Sequence, residues 1–296
     1  MNDRNMDFSP LIIGTMRLGR WGAGLKTQQL ERFVNACVEM DLRTFDHADI
    51  YGDYTTESDF GQLLKNNSSL RAELQLITKC GIKLLHANRP DHTIKSYDTS
   101  REHILMSVEN SLRNLQTDYL DVLLIHRPDY LLNPQQVAEC FTELRDSGKV
   151  RAFGVSNFTP DQFDMLNTCF PLITNQVEIS LLTLNPFTDG TLSRCMLNNI
   201  RPMAWSPVGG GALFKPSSDP AVQRIKMVGG ELCEKYSCDL DQLLYAWLLK
   251  HPSGILPVLG TSNIERVRSA RRSLDIRLTR EDWYVLWSAS TGEDVA

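Results

Sequence analysis

The sequence predicts an α/β fold: a (β/α)8 TIM barrel with an accessory C-terminal helix and loops on its C-terminal face. Three observations predict it. Eight short apolar runs alternate with amphipathic stretches, a pattern that demands parallel strands covered by helices. The 296 residues suit eight such units, since single barrels occupy roughly 250 residues. No GxGxxG follows an early strand, which counts against the alternative of a doubly wound open sheet. The late VGGGAL (208–213) has the wrong spacing. One domain, 1–296, is expected.

Taken in order, the strand candidates are LIIGT (11–15), RTFD (43–46), LQLITK (74–79), DVLLIH (121–126), RAFGVS (151–156), LITNQV (172–177), RPMAWS (201–206) and GILPVLG (254–260). Helical spacing of i, i+3, i+4 runs through 27–40, with Leu30, Phe33, Val34 and Cys37 on one face. The same spacing marks 99–116, 133–148, 159–170 and 239–251. Ser100 opens the second of these, and Asn133-Pro134 and Thr159-Pro160 open the next two, each proline falling where its missing N–H is harmless. Gly148 sits where a left-handed helix cap belongs. A helix is expected to start near Ser58. Residues 82–98 form the longest irregular segment and follow the third strand, so they should lie as a loop on the functional face.

Composition narrows the function classes. A net charge of -5 leaves no electrostatic footprint for nucleic acid or an anionic membrane. The longest apolar runs fall far short of the ~20 residues a spanning helix needs. The polar, acidic start, MNDRNMDFSP, lacks the basic and apolar regions of a secretory leader. Seven scattered cysteines with no CxxC read as reduced structural thiols. The expectation is a cytoplasmic monomer acting on a small molecule.

In a barrel, chemistry gathers at the C-terminal strand ends. Those ends carry Asp46, Lys79, His126, Ser156-Asn157, Gln176 and Ser206 on six consecutive strands. Tyr51 follows Asp46 by five residues, in TFDHADIYG (44–52). The last strand ends in Gly260-Thr261-Ser262 ahead of a helix containing Arg266, a pattern suited to phosphate. Singly, each residue has a plain structural reading: Asp46 as a turn cap, Lys79 as a solvated charge, His126 as a buried histidine, Tyr51 as packing. Together they form a proton-delivery set. A phenol with a pKa near 10 is a poor acid at neutral pH unless its phenolate is stabilised, which an adjacent ammonium does. A carboxylate makes the lysine's burial tolerable, and a histidine can orient a carbonyl oxygen. No activated serine or cysteine is present, and no side chain delivers hydride, so a nicotinamide cofactor is implied.

These residues and their surroundings resemble the aldo-keto reductase family along nearly the whole chain. The segments that carry the resemblance are TFDHADIYG, LITKCG (76–81), TDYLDVLLIHRPD (117–129), GKVRAFGVSNFTP (148–160), NQVEIS (175–180), AWSPVGGGAL (204–213) and PVLGTSNIERV (257–267). The resemblance implies NADPH-dependent reduction of aldehydes or ketones, with Asp46, Tyr51, Lys79 and His126 as the catalytic tetrad and Tyr51 the acid. It implies Ser156, Asn157 and Gln176 at the nicotinamide carboxamide and Trp205 stacked on the ring. Ser206, Val208, Gly210 and Leu213 match the pyrophosphate loop. Gly260, Thr261 and Arg266 match the 2'-phosphate segment, and Gly14, Thr15 and Met16 complete the cofactor contacts.

Departures from the family pattern bear on cofactor and substrate. Gly260 stands where many relatives have lysine, and Ser269-Ala270 where many have Glu-Asn, so NADH use is possible as well. Met16 and Arg17 replace an aromatic, and Trp21 is a candidate wall of the substrate mouth. Asp49 and His47 are assigned to turn chemistry or packing. Two rival readings differ in class. One is a zinc hydrolase using His47, Asp49 and His126 with His86 or His92, although the ligand spacing is wrong for it. The other is a nucleotide-binding regulatory protein of the same fold with little turnover.

Overall fold

The computed structural model describes residues 6–295; the leader-free reading of the N-terminus therefore falls partly outside it, at residues 1–5. Eight parallel strands close into a barrel in sequence order. They are Ile12–Gly14, Thr44–Asp46, Gln75–Cys80, Leu120–Ile125, Val150–Ser156, Asn175–Glu178, Met203–Trp205 and Leu256–Leu259. The first pairs with both the second and the last, Gly14 opposite Asp46 and Ile13 opposite Leu259, which completes the ring. All eight sequence candidates are strands, with ends displaced by no more than three residues. Interior positions such as Ile12, Ile77, Val122, Leu124, Ala152, Met203, Leu256 and Val258 fill the barrel as one apolar cluster. Their neighbours Ile13, Phe45, Leu76, Leu123 and Phe153 pack outward under the helices.

That period of two decides which polar residues reach the site. Continuing the inward series at each strand's C-terminal end gives Asp46 after Thr44, Lys79 after Ile77, His126 after Leu124, Ser156 after Gly154 and Trp205 after Met203. Helix starts follow their caps. Ser100 accepts from His103 N, Asn133 from Gln135 N and Gln136 N, and Thr159 closes a reciprocal box with Gln162. Gly148 takes φ 74 just past helix Pro134–Asp146.

The helix expected near Ser58 spans Thr56–Asn66 and follows a separate turn, Tyr51–Tyr54. One expectation is corrected. Residues 82–98 are not wholly irregular: Ile82–Lys83 pairs antiparallel with Ser96–Tyr97, folding the segment back as a hairpin beside the mouth. Its ends are tied down: the Asp98 N–H donates to the Gly81 carbonyl, and Thr99 donates to Asp129 Oδ2. The accessory helix, Arg280–Thr291, packs on helix Pro220–Tyr236. Its Trp283 stacks on Trp247 at 4.9 Å, and each indole N–H donates to the other residue's carbonyl. Among the described residues no helix is long and apolar enough to cross a membrane. Four cysteines are buried, Cys233 and Cys238 are half-buried, and Cys169 is exposed; all are free thiols.

Candidate active site

Lys79 is fully buried, and its ammonium uses all three of its donors. It donates to Asp46 Oδ2 at 2.8 Å, to the His47 carbonyl at 2.8 Å and to the Tyr51 hydroxyl at 3.1 Å. The bland reading of Lys79 as a solvated charge is thereby overturned. Burial works against the ammonium, yet the Asp46 carboxylate and Tyr51 hold its pKa above the ordinary lysine range. The Tyr51 and His126 rings stand edge to face, centroids 6.0 Å apart. Asp46, Tyr51, Lys79 and His126 are therefore brought together at one end of the barrel.

One sequence expectation needs amending. Lys79 does favour the Tyr51 phenolate, but burial outweighs it and Asp46 also opposes ionisation, so the phenol titrates above its ordinary value. Tyr51 rests as a neutral phenol, the form in which an acid must begin. Burial, with Lys79 and Arg127 beside it, holds His126 well below the usual imidazole range. A neutral imidazole carries one N–H, and its Nδ1 is buried without a partner.

A second group of residues lines the opposite wall. Gln176 Nε2 donates to Asp46 Oδ1 at 2.9 Å. Ser156 Oγ donates to the Gln176 carbonyl at 2.9 Å and accepts from Asn157 Nδ2 at 2.8 Å. Asn157, in the left-handed region at φ 61, receives the Trp205 indole N–H at 2.9 Å. A hydrogen-bonded chain thus runs from Trp205 through Asn157, Ser156 and Gln176 to Asp46, Lys79 and Tyr51.

The remaining predicted residues divide by exposure. Thr15 is fully buried, its hydroxyl donating to the Asp46 carbonyl, so it holds the frame of the site. Met16 is exposed just beyond it. Leu213 is a core residue, whereas Ser206 and Val208 are half-buried. Gly210, at φ 61, and Gly260 have open space where a Cβ would stand, as close approach of a phosphate group requires. Thr261 is half-buried and Arg266 exposed, in the first turn of helix Ile264–Arg272. Amide groups at the barrel mouth, an aromatic ring beside them, an open glycine loop and a terminal arginine fit a nicotinamide dinucleotide.

Neither His47 nor Asp49 joins the mouth. His47 is buried with Nδ1 3.1 Å from Thr15 Oγ1, and burial pushes its pKa down to about 3. Asp49 faces Glu57, and burial together with that second carboxylate raises it well above the usual range. Among the described residues no group of three or more His, Cys, Asp or Glu is arranged to hold a metal ion.

The sequence reading missed two residues. Asp53, at φ 59 immediately after Gly52, accepts the Trp21 indole N–H at 3.0 Å and pairs with Arg20 at 3.4 Å. It thereby holds Trp21, whose ring lies 6.1 Å from that of Tyr51. Arg127 follows His126 directly and reaches the Trp205 ring, Cζ 5.7 Å from the centroid. Its place directly after His126, two residues past the strand Leu120–Ile125, was the available signal.

The model of the Aldo/keto reductase family matches residues 10–289. The chain belongs to the aldo/keto reductase family. It is an NAD(P)H-dependent oxidoreductase. Among curated relatives, an uncharacterized oxidoreductase of Bacillus subtilis, YcsN, is 44% identical over 98% of this chain and 97% of its own. The Escherichia coli oxidoreductase YdhF is 43% identical over 98% and 96%. A 6-dehydroglucose reductase of Agrobacterium fabrum is 39% identical over 98% and 97%. Among solved structures, a thermostable aldo-keto reductase, Tm1743, superposes with a TM-score of 0.80 at 24% identity, covering 95% of both chains, which supports the fold. An aldo/keto reductase of Klebsiella pneumoniae, in complex with NADP and acetate, gives a TM-score of 0.76 at 26% identity over 94% of this chain and 90% of its own.

Proposed function

We propose that this aldo/keto reductase reduces an aldehyde or ketone carbonyl to the alcohol, with NADPH as reductant and Tyr51 as proton donor. One observation carries the reading: a fully buried ammonium that donates to both a carboxylate and a phenol at 2.8 and 3.1 Å. NADPH, when bound, supplies a hydride from nicotinamide C4 to the carbonyl carbon. The chain's own residues handle the oxygen. His126, neutral, donates an N–H that orients it. Tyr51 delivers its proton as negative charge develops there, worth roughly 10²–10⁴-fold in rate. Lys79 steadies the phenolate left behind, and Asp46 keeps Lys79 charged and aimed.

In the same reading Ser156, Asn157 and Gln176 hold the carboxamide and Trp205 stacks on the ring. Gly14, Thr15 and Met16 flank the cofactor, and Ser206, Val208, Gly210 and Leu213 follow the pyrophosphate. Gly260, Thr261 and Arg266 take the 2'-phosphate, which favours NADPH over NADH because a guanidinium fork matches a phosphate. The relative named 6-dehydroglucose reductase and the NADP-bound structural relative support carbonyl reduction and this cofactor. The whole chain, 1–296, works as one domain, a cytoplasmic monomer.

The test is direct. Purified protein is titrated with NADPH and NADH by fluorescence quenching, and loss of reduced-nicotinamide absorbance is then followed with aldehydes, quinones and dicarbonyls. Tight NADPH binding and turnover of at least one carbonyl are expected. Absence of cofactor binding sinks the proposal, and binding without any turnover transfers it to the regulatory reading.

A further inference from the structure

Arg127 is half-buried at the end of the strand Leu120–Ile125, one residue past His126. Among the described residues its side chain makes no hydrogen bond or ion pair; its neighbour is the Trp205 ring, 5.7 Å away. Other half-buried guanidiniums are partnered: Arg194 with Asp164, and Arg224 with the Ala289 and Ser290 carbonyls. The Arg127 charge is nonetheless felt inside the site. Behind burial and Lys79, it acts on Tyr51 and His126, and behind burial it acts on Glu178, which closes no ion pair with it. A cation held partly out of water without a counter-ion is unfavourable unless something else meets it. The aromatic neighbour Trp205 offers an apolar wall but no negative charge.

We propose that Arg127 is a specificity-determining residue that receives an anionic group, a carboxylate or a phosphate, carried by the carbonyl substrate. The proposal rests on the carbonyl-reduction reading above and names its substrate class. A planar guanidinium binds such an anion through two parallel N–H bonds. Placed beside His126, it draws the anion to one side of the reacting carbonyl while Tyr51 and His126 hold the oxygen. The alternative role is structural, a guanidinium laid against Trp205 for packing.

Matched substrate pairs separate the two. Wild type, Arg127→Gln and Arg127→Lys are assayed with NADPH on 4-carboxybenzaldehyde against benzaldehyde, succinic semialdehyde against butanal, and glyceraldehyde 3-phosphate against glyceraldehyde. Wild type is expected to prefer the charged member of at least one pair, and which pair tells carboxylate from phosphate. Arg127→Gln should reduce that preference about 10- to 100-fold, mainly through KM. Arg127→Lys should restore part of it, and added salt should narrow it. Equal losses on charged and neutral members would establish the packing role, and a wild-type preference for every neutral member would overturn the proposal. Tryptophan fluorescence titrated with benzoate and benzamide reads the same charge preference without turnover. If no aldehyde of either kind reacts but benzoate binding is selective and lost in Arg127→Gln, the reductase reading falls and the anion site stands. If benzoate selectivity is also absent, both fall.

Discussion

Gln176 donates its side-chain amide to Asp46 Oδ1 at 2.9 Å, joining residues 130 positions apart across the barrel mouth. The bond leaves Asp46 Oδ2 for Lys79, so the two oxygens of one carboxylate tie the amide wall to the proton-delivery wall. Gln176 is thus a second anchor of the Asp46–Lys79–Tyr51 series as well as a member of the proposed carboxamide cradle. Disturbing either side should be felt on the other.

Removing the phenol hydroxyl tests the proton donor most sharply. Tyr51→Phe is expected to lower kcat for carbonyl reduction by roughly 10²–10⁴-fold. NADPH affinity, followed by fluorescence quenching, should stay within a few-fold of wild type. Equal activity in the variant would remove Tyr51 from its role.

The buried ion pair makes a stability prediction. Asp46→Asn leaves the Lys79 ammonium, fully buried, with no counter-charge. Breaking such a pair from one side costs about 3–5 kcal/mol, to be read from urea unfolding at neutral pH. Gln176→Leu removes one neutral donor from the same carboxylate and should cost less, about 1–3 kcal/mol. A reversed order of the two losses would show that the charge pair is not what holds this wall.

His47 should make the fold sensitive to acid. Its folded pKa lies near 3, pushed down by burial and then by Lys79, against an ordinary value of 6.5. The unfolded chain therefore binds the proton more readily, and stability falls as pH drops below 6.5 toward 3. Between pH 7 and pH 5 this group alone should remove about 2 kcal/mol, taking 1.36 kcal/mol per pH unit. His47→Gln should lose less stability than wild type over that interval by about this amount. Parallel unfolding curves for the two proteins would refute the assignment.

Cofactor choice is expected to hinge on the last strand's end. Arg266→Ala should weaken NADPH by about 10-fold or more and leave NADH nearly unchanged, because only the former carries the 2'-phosphate. Gly260→Lys should do the reverse, strengthening NADPH, since a Cβ there meets nothing within 4 Å. Titration of each variant with both nucleotides checks the pair, and parallel changes for NADPH and NADH would remove the 2'-phosphate assignment.

Much of this molecule is legible in its sequence, because the decisive rules are local. Alternation with a period of two is a property of an extended chain, so Ile77 and Lys79, or Leu124 and His126, had to share a face. Strand and helix counts then implied a closed barrel, and closure brought six strand ends to one rim. Side-chain caps at Ser100, Asn133 and Thr159 set helix starts for equally local reasons. Other features depend on which groups meet after closure. That Gln176 reaches Asp46, that Trp205 holds Asn157, and that Asp53 holds Trp21 all join distant segments by distances no spacing rule contains. The resting state of Tyr51 belongs here too. Adjacent charges suggested a lowered pKa, whereas the assembled site raises it, because desolvation is set by everything packed around a group and not by its partners alone. Sequence supplied the cast of the site; the folded chain settled who bonds to whom and how far water is kept away.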